Sequence, residues 1–314
     1  MSEPLQNLSW LLLFPGFVFT LIVGLAASWI VRKVSALVQW RVGPPFYQPL
    51  VDIIKLAGKE ILIPIQAQQT LFVMAPLVGL ASVILLSTLL WRIIIAPGEV
   101  FVGDVIVAIY LMVMPSLALI LGSSASASPH AAVGAGREMK LVMGYELPIV
   151  LAFIVVIIKT GGQLGLASIA QHTTIYSISG FLAFLVSLFA VQAKLGFVPF
   201  DIAEAESELA SGVLMEYSGA LLGVWKIMQA MMLVALPLFL VVMFLGGFGT
   251  AGLSLWAGIG KFIIVLVLVI LIKNTNPRVR IDQAMKFFWV YCGIVSAIAV
   301  VLAILGSLYG ITWL

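Results

Sequence analysis

Residues 219–245 read GALLGVWKIMQAMMLVALPLFLVVMFL, with one charge, Lys226, and one amide, Gln229, among side chains that are otherwise apolar, glycine or proline. A helix that crosses a ~30 Å hydrocarbon core needs about 20 such residues, so this run is long enough to span a membrane. Working outward, seven further apolar runs lie near 11–31, 72–91, 103–121, 141–158, 180–198, 259–273 and 286–308. The sequence therefore predicts an all-α polytopic membrane protein of eight transmembrane helices, with residues 1–314 forming one membrane domain. The run at 259–273 is short. It begins at Gly258-Ile-Gly-Lys261 and is expected to borrow Leu253–Ala257 while Lys261 reaches toward lipid headgroups. Met1–Trp10 carries Glu3 and no Lys or Arg, so the first run is expected to remain in the mature protein and not to act as a signal peptide.

Composition agrees with that reading. Hydrophobic residues make up 63% of the chain and charged residues 9%, against about 45–50% and about 25% in soluble domains. These proportions exclude a cytosolic enzyme, a nucleic-acid binder and a disordered scaffold. The formal charge is +3, from 16 basic and 13 acidic residues, which suits loops facing a membrane surface better than a polyanion site. A single cysteine, Cys292, excludes a disulfide framework and any iron–sulfur cluster held by this chain alone. With only His130 and His172, no dense metal constellation is expected.

The basic residues orient the spans. Eight crossings place 13 of the 16 on one side: Arg32, Lys33, Arg41, Lys55 and Lys59, then Arg137 and Lys140, then Lys194 and Lys226, then Lys273, Arg278, Arg280 and Lys286. Arg92, Lys159 and Lys261 fall on the other. The positive-inside bias then puts both termini outside and the long loops in the cytoplasm of a cell membrane. Most acidic residues follow the cytoplasmic side, so function is expected there. Neither an internal repeat nor an inverted symmetry is visible, which counts against a secondary transporter.

Three segments carry candidate chemistry. In Phe197-Val-Pro-Phe-Asp-Ile-Ala-Glu-Ala-Glu-Ser-Glu-Leu-Ala-Ser-Gly212, Pro199 suits the first turn of a helix. Asp201, Glu204, Glu208 and Glu216 would then share one stripe, while Glu206 points elsewhere. Carboxylates ~6 Å apart at an effective dielectric of ~20 repel by roughly 3 kcal/mol, so such a group is expected to share protons at neutral pH. The alternative is a solvated acidic helix, for which Phe197 and Phe200 are poor surface material. At the start of the fourth span, Glu138 sits at the rim and Glu146 within, near Pro148. An ionisable side chain inside a span is a functional candidate, with a structural ion pair to Arg137 or Lys140 as the alternative. Lys226 is a similar case, with snorkelling as its alternative. Finally, Leu50, Ile53, Ile54, Leu56 and Ala57 alternate with Asp52, Lys55, Lys59 and Glu60 at helical spacing. They predict an amphipathic cytoplasmic helix on the membrane or under a partner. Asn276–Gln283 reads as a short extended stretch with Arg278, Arg280 and Asp282 on alternate positions.

Together these segments resemble the membrane-anchor subunit 1 family of complex I and of the energy-converting hydrogenases. The matching pieces are Arg41-Val-Gly-Pro44, Gln48-Pro-Leu-Val-Asp-Ile-Ile-Lys55, Arg137-Glu138 with Tyr145-Glu146, Pro199–Glu208 with Glu216-Tyr-Ser-Gly219, and Pro277-Arg-Val-Arg-Ile-Asp-Gln283. The resemblance implies a tilted eight-helix bundle. It implies that Glu138, Glu146, Asp201, Glu204, Glu206, Glu208 and Glu216, with Lys226, serve an ion pathway. Arg41, Pro44, Asp52, Lys55, Arg137, Arg278, Arg280 and Asp282 would meet the redox arm. It further implies a non-catalytic subunit without cofactors of its own. The nickel–iron centre and iron–sulfur clusters would sit in hydrophilic large, small and iron–sulfur subunits, with antiporter-like membrane subunits alongside.

Two departures bear on the branch. The first loop is short, and Gly122–Arg137 with Glu216–Lys226 look like the group 4 membrane-bound nickel–iron hydrogenase branch. The expected function is thus the membrane-anchor and ion-coupling subunit of a hydrogenase, moving H+ or Na+. The alternatives are the same subunit in a sulfane-sulfur or quinone reductase, and a stand-alone ion channel or transporter.

Overall fold

A computed structural model describes residues 3–96, 103–205, 208, 210–249 and 252–314. Its regular elements are helical, as a chain in hydrocarbon requires when every backbone N–H and C=O must find a partner inside its own segment. In chain order they are α1 (Glu3–Leu12), α2 (Phe17–Val38), α3 (Gln48–Ala57), α4 (Gln69–Ile95), α5 (Asp104–Ala125), α6 (Pro129–Lys159), α7 (Leu166–Ile169), α8 (Ile178–Lys194), α9 (Gly219–Phe244) and α10 (Leu253–Thr275). The last, α11, runs over Ile281–Tyr309 and includes a π-helical stretch at Phe287–Cys292. Among the described residues seven helices are long and apolar enough to cross a membrane, and α8 is a shorter apolar helix.

The α9 helix is the axis of the bundle. Of its apolar window 89% is buried, and α2, α3, α4, α8 and α10 pack around it. Small residues set the spacing. A Cβ on Gly24 of α2 would overlap the Ala230 carbonyl oxygen of α9, so these two backbones meet at a distance that only glycine permits. On the other flank α4, α5 and α6 follow one another, and α6 meets α8 and α11.

Several local expectations need correction. The segment after α8 is not a helix with its carboxyls on one stripe. The chain turns at Gly196 (φ 62°), and Ala210, Ser211 and Gly212 all adopt left-handed conformations. A Cβ on Gly212 would overlap the Ala203 carbonyl oxygen, so the chain folds back on itself there. Pro199 consequently opens no helix. The stretch from Asn276 is extended only as far as Arg280. Asp282 belongs to the first turn of α11, where the Arg280 N–H donates to the Gln283 side-chain oxygen (3.2 Å). Lys261 does not reach for headgroups either. Its ammonium donates to the carbonyls of Leu245 (2.6 Å) and Gly247 (3.3 Å), satisfying acceptors left open where α9 ends.

Candidate functional site

The loop between α8 and α9 folds into one end of the bundle and brings charged side chains from several helices together. It is anchored from both sides. Gln192 of α8 donates to the Val198 carbonyl (2.7 Å), and the Val279 N–H donates to the Pro199 carbonyl (3.1 Å). The buried Phe200 ring lies 4.7 Å from Phe288 and 5.6 Å from Phe287 of α11. At the far end of the loop, Tyr217 stacks on Phe72 with ring centroids 4.2 Å apart, and its hydroxyl donates to the Phe72 carbonyl (3.1 Å). Burial pushes the Tyr217 phenol well above its ordinary range, so the hydroxyl remains a donor.

Two cavities open against this loop. The outer one, about 260 Å³, has Arg32, Asp52, Asp201, Glu204, Lys226 and Lys273 in its wall. The inner one, about 40 Å³, is lined by Ser116, Glu138, Lys194, Asp201, Glu204 and Gln229, among others. Asp201, Glu204 and Gln229 thus border both. The inner volume has room for about two or three waters.

Direct bonds continue the line. Lys226 donates to Gln229 (3.1 Å), whose amide donates to Glu204 (2.9 Å). Beyond the inner cavity Lys194 donates to Glu146 (2.5 Å) and lies 4.6 Å from the Tyr145 ring centroid. The Lys194 side chain is 1% exposed and that of Glu146 24%. Ser116 bonds both the Glu138 carboxyl and the Tyr145 hydroxyl. The result is a sequence of polar groups, Asp52, Lys226, Gln229, Glu204, Glu138, Lys194 and Glu146, running from the mouth of the outer cavity to the flank of α6. Carboxyls and amines spaced by water-sized gaps can pass protons or screen a small cation.

The structure sorts the expected residues. Glu138 is deeper than the rim: α6 begins at Pro129, and the residue is 7% exposed. Glu146 pairs with Lys194 of α8, not with Arg137 or Lys140. Arg137 instead pairs with Glu208 (2.6 Å), whose side chain is 58% exposed and lines neither cavity. Asp201 pairs with Arg278 (2.8 Å). Glu216 is half-buried and borders neither cavity. Glu206 lies outside the described residues. On α3, Asp52 bonds Arg32 of α2 (2.8 Å) and Gln48 (2.9 Å), and the Arg32 bond holds its carboxyl below the usual range. Arg41 and Lys55 are exposed, and the Pro44 carbonyl accepts from the Trp29 indole (3.1 Å).

Sequence reasoning missed Lys194, Gln229, Ser116 and Arg32 as members of this line. A signal existed for Lys194, a lone charge closing a 17-residue apolar helix. None existed for Ser116, a common hydroxyl in a span. Among the described residues no group of three or more His, Cys, Asp or Glu is placed to hold a metal ion.

Known proteins share this sequence and fold. A membrane subunit of the NADH-quinone oxidoreductase of Syntrophotalea carbinolica is 33% identical over 339 aligned positions, covering 100% of this chain and 99% of the relative. The corresponding NADH-quinone oxidoreductase subunit of Dehalococcoides mccartyi strain 195 is 32% identical over 285 positions, covering 87% and 79%. Among solved structures, a chain of the membrane-bound sulfane sulfur reductase, described as an archaeal respiratory membrane complex, superposes with a TM-score of 0.82 at 28% identity. That superposition covers 95% of this chain and 99% of the other. The family described as NADH dehydrogenase matches residues 11–304, and the chain belongs to that family.

Proposed function

We propose that this chain is the membrane-anchor and ion-coupling subunit of a multisubunit respiratory complex. It docks a hydrophilic redox arm and links electron transfer there to H+ or Na+ translocation. The observation that carries this reading is the pair of cavities bordered jointly by Asp201, Glu204 and Gln229, which joins a mouth of exposed charge to the buried Glu138 and the Lys194–Glu146 pair. A charge change at the mouth alters the cost of ionising the inner carboxyls, because like charges a few ångströms apart in a poorly solvated site repel strongly. Arg41, Lys55, Arg280 and Asp282 are exposed and suit a docked partner. The uneven distribution of basic residues supports placing this end in the cytoplasm and both termini outside.

For the partner chemistry, the hydrogenase-like stretches Gly122–Arg137 and Glu216–Lys226 support a nickel–iron arm. The superposition on the sulfane sulfur reductase chain favours a second reading, a sulfur-reducing arm on the same anchor. Affinity isolation of the assembly through this chain, with mass spectrometry and metal analysis, separates them. A co-purifying subunit with four nickel-ligating cysteines and bound nickel supports the hydrogenase. A nickel-free assembly supports the sulfur reductase. A chain that purifies alone and conducts ions in liposomes is a channel, and the proposal fails.

A further inference from the structure

The end of the bundle opposite the carboxyls holds a second polar cavity, about 670 Å³, between the end of α6, the 171–177 loop and the end of α11. Lys159 closes α6, 21 residues beyond Glu138, or about 30 Å along the helix axis, so the cavity serves the other membrane surface. Its wall includes Lys159, Gln171, His172, Thr173, Ser307 and Thr312, and no Asp or Glu. None of these six side chains makes a hydrogen bond or ion pair to the described residues. Other polar groups nearby are already satisfied. Thr174 donates to the Met243 carbonyl (3.4 Å), Ser177 accepts from the Gly180 N–H (3.1 Å), and the first N–H groups of α8 donate to the carbonyls of Trp313 (3.0 Å) and Leu314 (3.1 Å). What remains free is a set of donors without an acceptor.

We propose that this cavity binds the phosphate of an anionic lipid headgroup. Lys159 and His172 supply nitrogen donors, and the amide and hydroxyls complete the shell around the phosphate oxygens. A lipid fits better than a soluble phosphate because of the surroundings. Tyr176, Tyr309 and Trp313 are exposed around the rim, in the manner of aromatic side chains at headgroup level. Ile178 and Leu308 beside them are also exposed and offer an apolar path for acyl chains. The site is independent of the ion-coupling proposal, since it shares no residue with that route.

The test uses the assembly purified through this chain, in nanodiscs of phosphatidylcholine with increasing phosphatidylglycerol, and counts retained lipids by native mass spectrometry. Wild type and K286Q, which removes a charge at the other end, should retain a phosphatidylglycerol that K159Q/H172Q retains at least fivefold less often. K159R/H172K should restore retention, which separates lost charge from lost folding. Equal retention in K159Q/H172Q overturns the site. Displacement of the lipid by excess inorganic phosphate overturns the lipid assignment in favour of a soluble phosphate ligand.

Discussion

Replacing Glu146 by Gln removes one charge of the most enclosed ion pair among the described residues and keeps the side-chain volume. Lys194 is then left 1% exposed with no anion at contact distance. Charge centres ~4 Å apart at an effective dielectric of ~20 attract by about 4 kcal/mol, and breaking a buried pair from one side typically costs about 3–5 kcal/mol. Part of that cost is offset, because Glu146 is 24% exposed and the Tyr145 ring also faces the ammonium. E146Q should therefore destabilise by about 2–4 kcal/mol, and K194M by a similar amount. The double variant E146Q/K194M removes both charges and should cost less than the two singles together, with a coupling of about 2 kcal/mol. Denaturant titration of the detergent-solubilised chain, followed by tryptophan fluorescence, gives the four values of the cycle. Additivity to within about 0.5 kcal/mol would show that the two side chains do not act as a unit.

Other consequences are smaller or local. The Arg32–Asp52 bond joins α2 to α3 with side chains 43% and 39% exposed, so D52N should cost below about 1 kcal/mol. Because the Asp52 carboxyl is held below its ordinary value, its contribution is complete above about pH 4 and fades as pH falls further. Amide exchange in α3 should accelerate on acidification in the wild type and not in D52N. At Gly122, an added Cβ would overlap the Tyr217 hydroxyl, so G122A should break the Tyr217–Phe72 bond and destabilise by about 1–3 kcal/mol. Y217F should lose about 1 kcal/mol without that steric effect. The pair Arg137–Glu208 lies outside both cavities, so E208Q should leave ion uptake by the assembled complex within about twofold of wild type.

The helices are legible in the sequence because the membrane imposes one strong rule. A long apolar run must be helical, and α9, whose surroundings are protein on nearly every side, is the plainest case. The site is legible by residue type and less so by geometry. A helical wheel drawn over Asp201–Glu216 assumes continuous helix, yet left-handed residues at 210–212 reverse the chain, and Ala210 and Ser211 carry no side-chain signal for that conformation. Burial of Glu138 depends on where α6 begins, which the hydropathy of 141–158 does not reveal because the first three turns of α6 are stabilised by packing on the loop. Pairings such as Lys194–Glu146 and Asp201–Arg278 join positions 48 and 77 residues apart, and no spacing rule along one helix reaches that far.

The central claim is that charge passes along the inner carboxyls, and E138Q tests it most directly. Inverted membrane vesicles holding the assembled complex would be driven with a low-potential dye donor, measuring electron transfer and ion uptake together. The account predicts that electron transfer continues while ions moved per electron fall at least about tenfold, which corresponds to about 1.4 kcal/mol or more of lost stabilisation. An unchanged ratio in an intact assembly would contradict it.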